Sequence, residues 1–322
     1  MSMAIALPIP CLLRKSFITD NNFLLTQSKS VCRIFCIQTC FYNLIRGIFM
    51  KVVILAGGMG TRLAGETETK PKPMVEIGGK PILQHIIDYY ISYGHHDFYI
   101  LAGYKSEVIK DYFNNLAMRD NDVSYNLAYP TLTDGTPNNS RVRLVSERTH
   151  NFIATVIETG LKTNTAGRIA YMKKYVAPDE NFLLTYGDGL CDVNINSLVR
   201  YHENSGRSVT VTAIRPTSRF GHLSIANNGR VMEFKEKPKQ DVWVNGGFFV
   251  VHGSVLHGGI LHGCEDEPWE GSPMQLLIAN KEVTAYKHDG WWRCMDTIKD
   301  RDVLRKLWDN GYAPWHKGEK NA

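Results

Sequence analysis

No stretch of eighteen apolar residues occurs anywhere in this chain, so no membrane-spanning helix is expected. No block of basic residues occurs either. The formal net charge is only +5, and a few placed Lys and Arg residues suit a small polyanion better than nucleic acid. Cysteine is scarce and scattered. Cys11, Cys32, Cys36 and Cys40 precede residue 50, and Cys191, Cys264 and Cys294 stand singly. No CxxC pair exists and the early cysteines lack a nearby His, so neither a zinc site nor a disulfide framework is supported. A reducing, cytoplasmic compartment is expected. Histidines 252, 257 and 262 are five apart, which turns successive residues about 140° around a helix and gives them no common face. With Cys264 they are expected to bind no metal. No internal repeat is present, and the lack of hexapeptide repeats excludes a β-helix domain.

What is present is the composition of an ordinary globular protein, 43% hydrophobic and 21% charged. The 322 residues suffice for one large domain or two small ones. Residues 1–49 lack clear periodicity. Their apolar run precedes the positive charges at Arg14 and Lys15, the wrong order for a secretory signal. They are expected to be a non-native or disordered N-terminal extension, with 50–322 forming a single domain.

From Met50 onward, strand-like and helix-like stretches alternate. Strands are expected at Val52–Ala56, Phe98–Ala102, Arg141–Val145, Phe182–Tyr186 and Ser208–Ile214. Helices are expected at Pro81–Tyr93, Ser106–Phe113, Thr165–Tyr175 and Ile195–Asn204. This rhythm predicts an α/β fold, a Rossmann-like, mostly parallel sheet flanked by helices. Past residue 220 the short strands His222–Ile225, Arg230–Phe234 and Gly247–Val251 predict a small antiparallel β extension.

The turn Leu55-Ala-Gly-Gly-Met-Gly-Thr-Arg-Leu63 follows the first strand directly. Glycines 57, 58 and 60 allow close backbone approach and present N–H groups to phosphate oxygens, and Arg62 adds a forked cation. The dinucleotide fingerprint fails because its third glycine position is Leu63. A Walker A loop laid on Gly60–Gly65 fails because its lysine position is Glu66. A tight turn without a ligand is the simpler alternative. Next, Pro71 and Pro73 hold Lys72 in an extended segment, where it would neutralise phosphate charge. Lys70 and Lys80 read as solvated surface residues. Asp188 ends a strand between Gly187 and Gly189 and could reach a metal without steric cost, although such an Asp also simply forms turns. Asp192 is a weaker competitor. Trp291 and Trp292 read as core or wall.

The stretches GGMGTRL and KPKPMVEIGGKPI, Thr185-Tyr-Gly-Asp-Gly189, Arg219-Phe-Gly221, Glu236-Lys-Pro238, Asn245-Gly-Gly-Phe-Phe249, Trp292 with Met295-Asp-Thr297, and Ala313-Pro-Trp315 together resemble the sugar-1-phosphate nucleotidyltransferases, in detail the cytidylyl members acting on glucose 1-phosphate. The likeness runs from Met50 to the C-terminus. It implies the nucleotide-diphospho-sugar transferase type of fold and transfer of a nucleotidyl group from CTP to α-D-glucose 1-phosphate, giving CDP-glucose and pyrophosphate. It implies Mg²⁺ held by Asp188 and Asp296. It implies catalytic roles for Arg62, Lys72 and Asp188. Nucleotide contacts would come from Leu55, Ala56, Gly57, Gly58, Met59, Gly60, Thr61, Arg62, Lys72, Thr163, Gly167, Arg168 and Gly187. The segment Glu158–Arg168 would select the base. Sugar-phosphate contacts would come from Tyr186, Glu236, Lys237, Asn245 and Gly246. The enzyme would be a homo-oligomer working on small molecules, with neither nucleic acid nor membrane as partner, and a CDP-sugar would serve polysaccharide biosynthesis. UTP or dTTP in place of CTP, or a non-catalytic nucleotide-sensing subunit on the same fold, are the alternatives. Arg293 and Cys294 depart from the family pattern, where a neutral polar residue and a proline precede Met, but leave both aspartates in place.

Overall fold

A computed structural model describes residues 49–63, 65–119, 123–125, 142–144, 151–218, 220–236 and 239–316. Residues 1–48 of the expected extension, and Lys237, lie outside the described residues. The main sheet is built from β1 (Val52–Ala56), β2 (Asp97–Ala102), β3 (Ile153–Glu158), β4 (Asn181–Tyr186), β5 (Val209–Ile214), β6 (Val244–Asn245), β7 (Phe249–His252) and β8 (Val283–His288). The helices that position the site are α1 (Ile82–Ile91), α2 (Ser106–Arg119), α3 (Thr165–Ala170), α4 (Ile195–Ser205), α5 (Ser272–Ala279) and α6 (Ile298–Asp309).

Strand β1 is central, pairing in parallel with β2 on one side and β4 on the other. Strand β3 extends the sheet in parallel beyond β2. On the other flank β7 runs antiparallel to β4, β5 runs antiparallel to β7, and β8 is parallel to β5. Only β6 and β7 therefore oppose the common direction among the described strands of this sheet, and the mostly parallel expectation is met. The expected strand Gly247–Val251 is not part of an extension. It lies inside the main sheet, where β6 and β7 pair with successive parts of β5. His222–Ile225 and Val231–Lys235 do form a separate antiparallel hairpin.

All five residues of β1 are buried. A strand covered on both faces needs apolar residues at every position rather than at alternate ones. Its side chains divide by period two. Val52, Ile54 and Ala56 join a core with α1, α4, α6 and Trp315. Val53 and Leu55 join a second core with α3, Trp269 and Leu277. The result is a helix–sheet–helix sandwich.

Local sequence sets the ends of these elements. Asn194 caps α4, its side chain accepting the Ser197 N–H at 3.0 Å, and Gly206 ends that helix in the left-handed region at φ 61. The expected helix Thr165–Tyr175 is α3 followed by a tighter 3₁₀ turn over Tyr171–Lys174. Asn164 caps it, accepting the Thr165 N–H. The turns after β1, β3 and β4 lie at the carboxyl ends of the parallel strands, where open α/β sheets bind ligands.

Candidate active site

Two cavities meet at that edge. The first, about 380 Å³, is lined by the glycine-rich turn Leu55–Arg62, Lys72, Pro73, Leu161–Thr165, Arg168, Tyr186, Gly187, Asp188 and Asp296. The second, about 300 Å³, is lined by Arg62, Thr185, Tyr186, Asp188, Gly189, Asn245–Phe248, Trp292, Cys294 and Asp296. Arg62, Tyr186, Asp188 and Asp296 border both.

Asp188 and Asp296 are 108 positions apart in sequence, and a short antiparallel pair brings them together. Gly189–Cys191 pairs with Trp292–Cys294, Cys294 lying opposite Gly189. The Met295 N–H then donates to the Asp188 carbonyl at 2.9 Å. Asp296 directly precedes Thr297, the N-cap of α6. The Thr297 hydroxyl accepts the Asp300 N–H at 3.2 Å while the Asp300 carboxylate accepts the Thr297 N–H at 3.0 Å. This reciprocal box fixes the backbone that carries Asp296.

Both carboxylates converge on Lys72. Its ammonium donates to Asp188 and, at 2.6 Å, to Asp296. Arg62 reaches the other oxygen of Asp296 at 3.2 Å. Burial works against the Lys72 charge, but the carboxylates of Asp188 and Asp296 outweigh it and hold the lysine above its ordinary pKa. Burial likewise disfavours the Asp296 carboxylate, yet Lys72 and Arg62 hold it below the usual value. The centre is thus two anions interleaved with two cations. A polyphosphate entering the first cavity meets Arg62 at the rim, its side chain 71% exposed, and Lys162 beside Thr163.

Beneath the glycine-rich turn lies a third cation. Arg168 is 4% exposed, and burial pulls its pKa below the ordinary guanidinium value. Its guanidinium donates to the carbonyls of Ala102 and Gly57, each at 3.1 Å, and to the Thr159 hydroxyl. It therefore ties together the carboxyl ends of β1, β2 and β3. Gly57 is required by this contact, because a Cβ there would lie 2.1 Å from the Arg168 Cζ. Gly60 is required differently, by its left-handed φ of 63.

The break between β6 and β7 forms the wall of the second cavity. Gly246, Gly247 and Phe248 leave the ladder, with φ of 73 at Gly247 and 49 at Phe248. The Trp292 indole N–H donates to the Gly246 carbonyl at 2.7 Å and holds the break in place. Trp292 is thus wall, and the half-buried Trp291 packs against Trp315 at the edge of the core, ring centroids 5.1 Å apart.

Other expected residues lie elsewhere. Gly167 lines neither cavity, because it packs against the Glu265 backbone, 2.7 Å from where its Cβ would be. Glu236 follows the exposed hairpin and borders neither cavity. Thr163, by contrast, does line the first cavity, its hydroxyl donating to the Thr159 carbonyl at 2.5 Å. Asp192, the competitor of Asp188, accepts from the Trp291 N–H and from His288, each at 2.8 Å. His257 donates to the Val176 carbonyl at 3.0 Å and His252 bonds the Ser254 hydroxyl at 2.8 Å. Among the described residues no cluster of three His, Cys, Asp or Glu side chains is suited to hold a metal. Cys294 borders the second cavity, where burial and then the carboxylates of Asp296 and Asp188 push its thiol up to about 12. It is therefore no thiolate nucleophile at neutral pH.

Comparison with known proteins places the chain in a family. The family profile described as nucleotidyl transferase matches residues 51–297. A glucose-1-phosphate cytidylyltransferase of Salmonella typhimurium is 43% identical over 271 residues, which cover 84% of this chain and all of that protein. Among solved structures, HddC from Yersinia pseudotuberculosis complexed with GMP-PN superposes with a TM-score of 0.56 at 20% identity, covering 81% of this chain and all of that one. UDP-glucose pyrophosphorylase complexed with UDP-glucose gives a TM-score of 0.56 at 14% identity, covering 81% and 99%. At these identities the two structures establish the fold alone.

Proposed function

The chain belongs to the nucleotidyl transferase family, and from that premise we propose that it transfers the cytidylyl group of CTP to α-D-glucose 1-phosphate, giving CDP-glucose and pyrophosphate. The observation that carries the reading is the convergence of Arg62, Lys72, Asp188 and Asp296 where two cavities meet. Two cavities sharing one charged border suit two substrates that react through phosphates. The cytidylyl and glucose identities are supported by the name of the 43% identical relative, which this chain covers in full. The complete charged set speaks against a non-catalytic sensing subunit.

The reaction needs no protein nucleophile. A phosphate oxygen of the sugar phosphate attacks the α-phosphorus of the triphosphate, the bond to the pyrophosphate oxygen breaks, and pyrophosphate leaves. Phosphate oxygens are ionised at neutral pH, so catalysis rests on alignment and charge neutralisation. In this reading the backbone N–H groups of Gly57–Thr61 cradle the triphosphate, while Arg62 and Lys72 stabilise the charge on the leaving pyrophosphate. Leu161–Thr165 face the nucleoside, and Tyr186, Asn245 and Gly246 face the sugar. Lys237 is retained as a sugar-phosphate contact on the resemblance alone.

The family implies a divalent cation, and the residues fit one. Asp188 and Asp296 offer hard oxygen donors and already converge on a shared cation, the Lys72 ammonium. They would hold Mg²⁺, which when bound supplies charge neutralisation on the phosphates.

Three further expectations are kept as proposals. The catalytic domain is residues 50–322. The compartment is a reducing cytoplasm, in keeping with Cys264 and Cys294 as free thiols. The enzyme is a homo-oligomer. Phe220, Leu223, Ile225, Val231, Met232 and Phe234 of the hairpin region are all exposed, and a second copy of the chain would cover this apolar surface.

Phosphorus NMR of a mixture of enzyme, Mg²⁺, CTP and glucose 1-phosphate tests the reaction. The expected outcome is a new pair of coupled diphosphate doublets together with free pyrophosphate. Loss of CTP without a diphosphate-linked sugar would overturn it.

A further inference from the structure

Three side chains form a directed hydrogen-bond chain across the rim of the second cavity. Asn245 begins it. Its Oδ1 accepts the Gly247 N–H at 2.8 Å, so its amide nitrogen is the end turned toward Tyr186. That nitrogen donates to the Tyr186 hydroxyl oxygen at 3.1 Å. The phenol has one proton, and with its oxygen accepting from Asn245 that proton goes to the carboxylate of Glu270. The polarity of the chain is therefore fixed from the backbone N–H of Gly247 to the carboxylate.

Glu270 is held at this place by its neighbours. Trp269 is fully buried. Its backbone N–H donates to the Thr165 hydroxyl at 2.7 Å, and its ring meets Phe249 edge-on at 6.4 Å. Helix α5 starts two residues later at Ser272. The carboxylate thus stands on a segment anchored to both α3 and β7. It is exposed and makes no contribution to the core. Its structural consequence is the orientation of Tyr186, one of the residues that border both cavities, and through it of Asn245.

We propose that Glu270 is a positioning residue for the sugar-phosphate cavity. It holds the Tyr186 phenol against Asn245, so that the second amide N–H of Asn245 and the aromatic wall present one fixed surface to the hexose. The proposal rests on the reading that the second cavity takes the sugar phosphate. A charge-assisted bond to a phenol is among the stronger neutral-pH hydrogen bonds. Losing it frees the ring to rotate away, and the hexose then meets a surface that must be ordered on binding, which weakens ground-state affinity rather than the chemical step.

Steady-state kinetics of four variants test this. Glu270→Ala should raise KM for glucose 1-phosphate about tenfold while leaving KM for CTP and kcat within about twofold. Glu270→Gln keeps an acceptor for the phenol and should recover most of the loss. Tyr186→Phe should match Glu270→Ala, and the double variant should be no worse than either single one. Equal rises in both KM values, a Gln variant as impaired as Ala, or multiplying effects in the double variant would each overturn the proposal. Melting curves check that the variants are folded. Wild-type turnover is measured first with several sugar 1-phosphates. If the substrate is not the glucose compound, that part of the functional reading fails, and the same KM split with the true sugar still decides the role of Glu270.

Discussion

Asp188→Asn preserves size and hydrogen-bonding capacity but removes one of the two charges facing Lys72. Removing one preorganised charge of this kind should cost turnover about a hundredfold to a thousandfold, measured as pyrophosphate release, with the melting temperature changed by no more than a few degrees. Full activity would refute the assignment of Asp188 to the reacting phosphates. Lys72→Met does the reverse, leaving two carboxylates that share no cation. Both turnover and melting temperature should fall, and an unchanged melting temperature would mean the bridge contributes nothing to the resting fold. Gly57→Ala pushes a methyl into the Arg168 guanidinium. The guanidinium must shift off the Gly57 and Ala102 carbonyls, so a loss of about 1–3 kcal/mol in urea unfolding is expected, along with a higher KM for the triphosphate. These residues were legible in the sequence to different degrees. The glycine turn, Lys72 and Asp188 stand in local contexts that announce them: a strand end, flanking prolines, flanking glycines. Asp296 was reached only through the resemblance, because its pairing with Asp188 depends on a strand contact across about a hundred residues. Lys162 and Glu270 were missed altogether. Lys162 could have been found beside Thr163, but Glu270 has no local signal, since its partner Tyr186 comes from another part of the fold.

At the scale of elements, the capped start of α6 matters beyond its own stability. Thr297→Ala removes the hydroxyl that bonds Asp300 and should cost about 1 kcal/mol of stability. Because Asp296 is the preceding residue, turnover should drop severalfold in the same variant. A variant equally active but less stable would show that the cap and the carboxylate are uncoupled. Buried parallel strands and the amphipathic helix α1 were readable because apolar runs and helical spacing mark them. Edge strand β3 was not, since its burial is mixed and its period weak. The stretch Gly247–Val251 reads from sequence as part of an antiparallel extension, because sequence shows a short strand but not its partners. The expected Thr165–Tyr175 helix ran on in pattern, while the last four residues tighten into a 3₁₀ turn under tertiary packing. The hairpin His222–Lys235 carries apolar side chains that are exposed among the described residues. Phe234→Glu should reduce the mass seen by light scattering to that of a monomer, and an unaltered mass would place any oligomer interface elsewhere.

For the whole molecule, acid sensitivity follows from three buried histidines. Burial holds His85, His95 and His202 at about 4, below their ordinary 6.5. The unfolded chain therefore takes up protons first as pH falls, so their contribution to stability is full above about 6.5 and is lost progressively toward 4. Urea midpoints should fall across that window, and a flat profile would contradict the buried, neutral state of these side chains. The larger claim is that the two cavities unite one nucleoside triphosphate with one sugar 1-phosphate over the shared centre of Arg62, Lys72, Asp188 and Asp296. The most direct test is pyrophosphate release from glucose 1-phosphate and Mg²⁺ with CTP, UTP, dTTP, ATP and GTP offered separately. Release with CTP, and at most a small fraction of that rate with the others, is the predicted result. No release with any triphosphate from the folded protein would contradict the account.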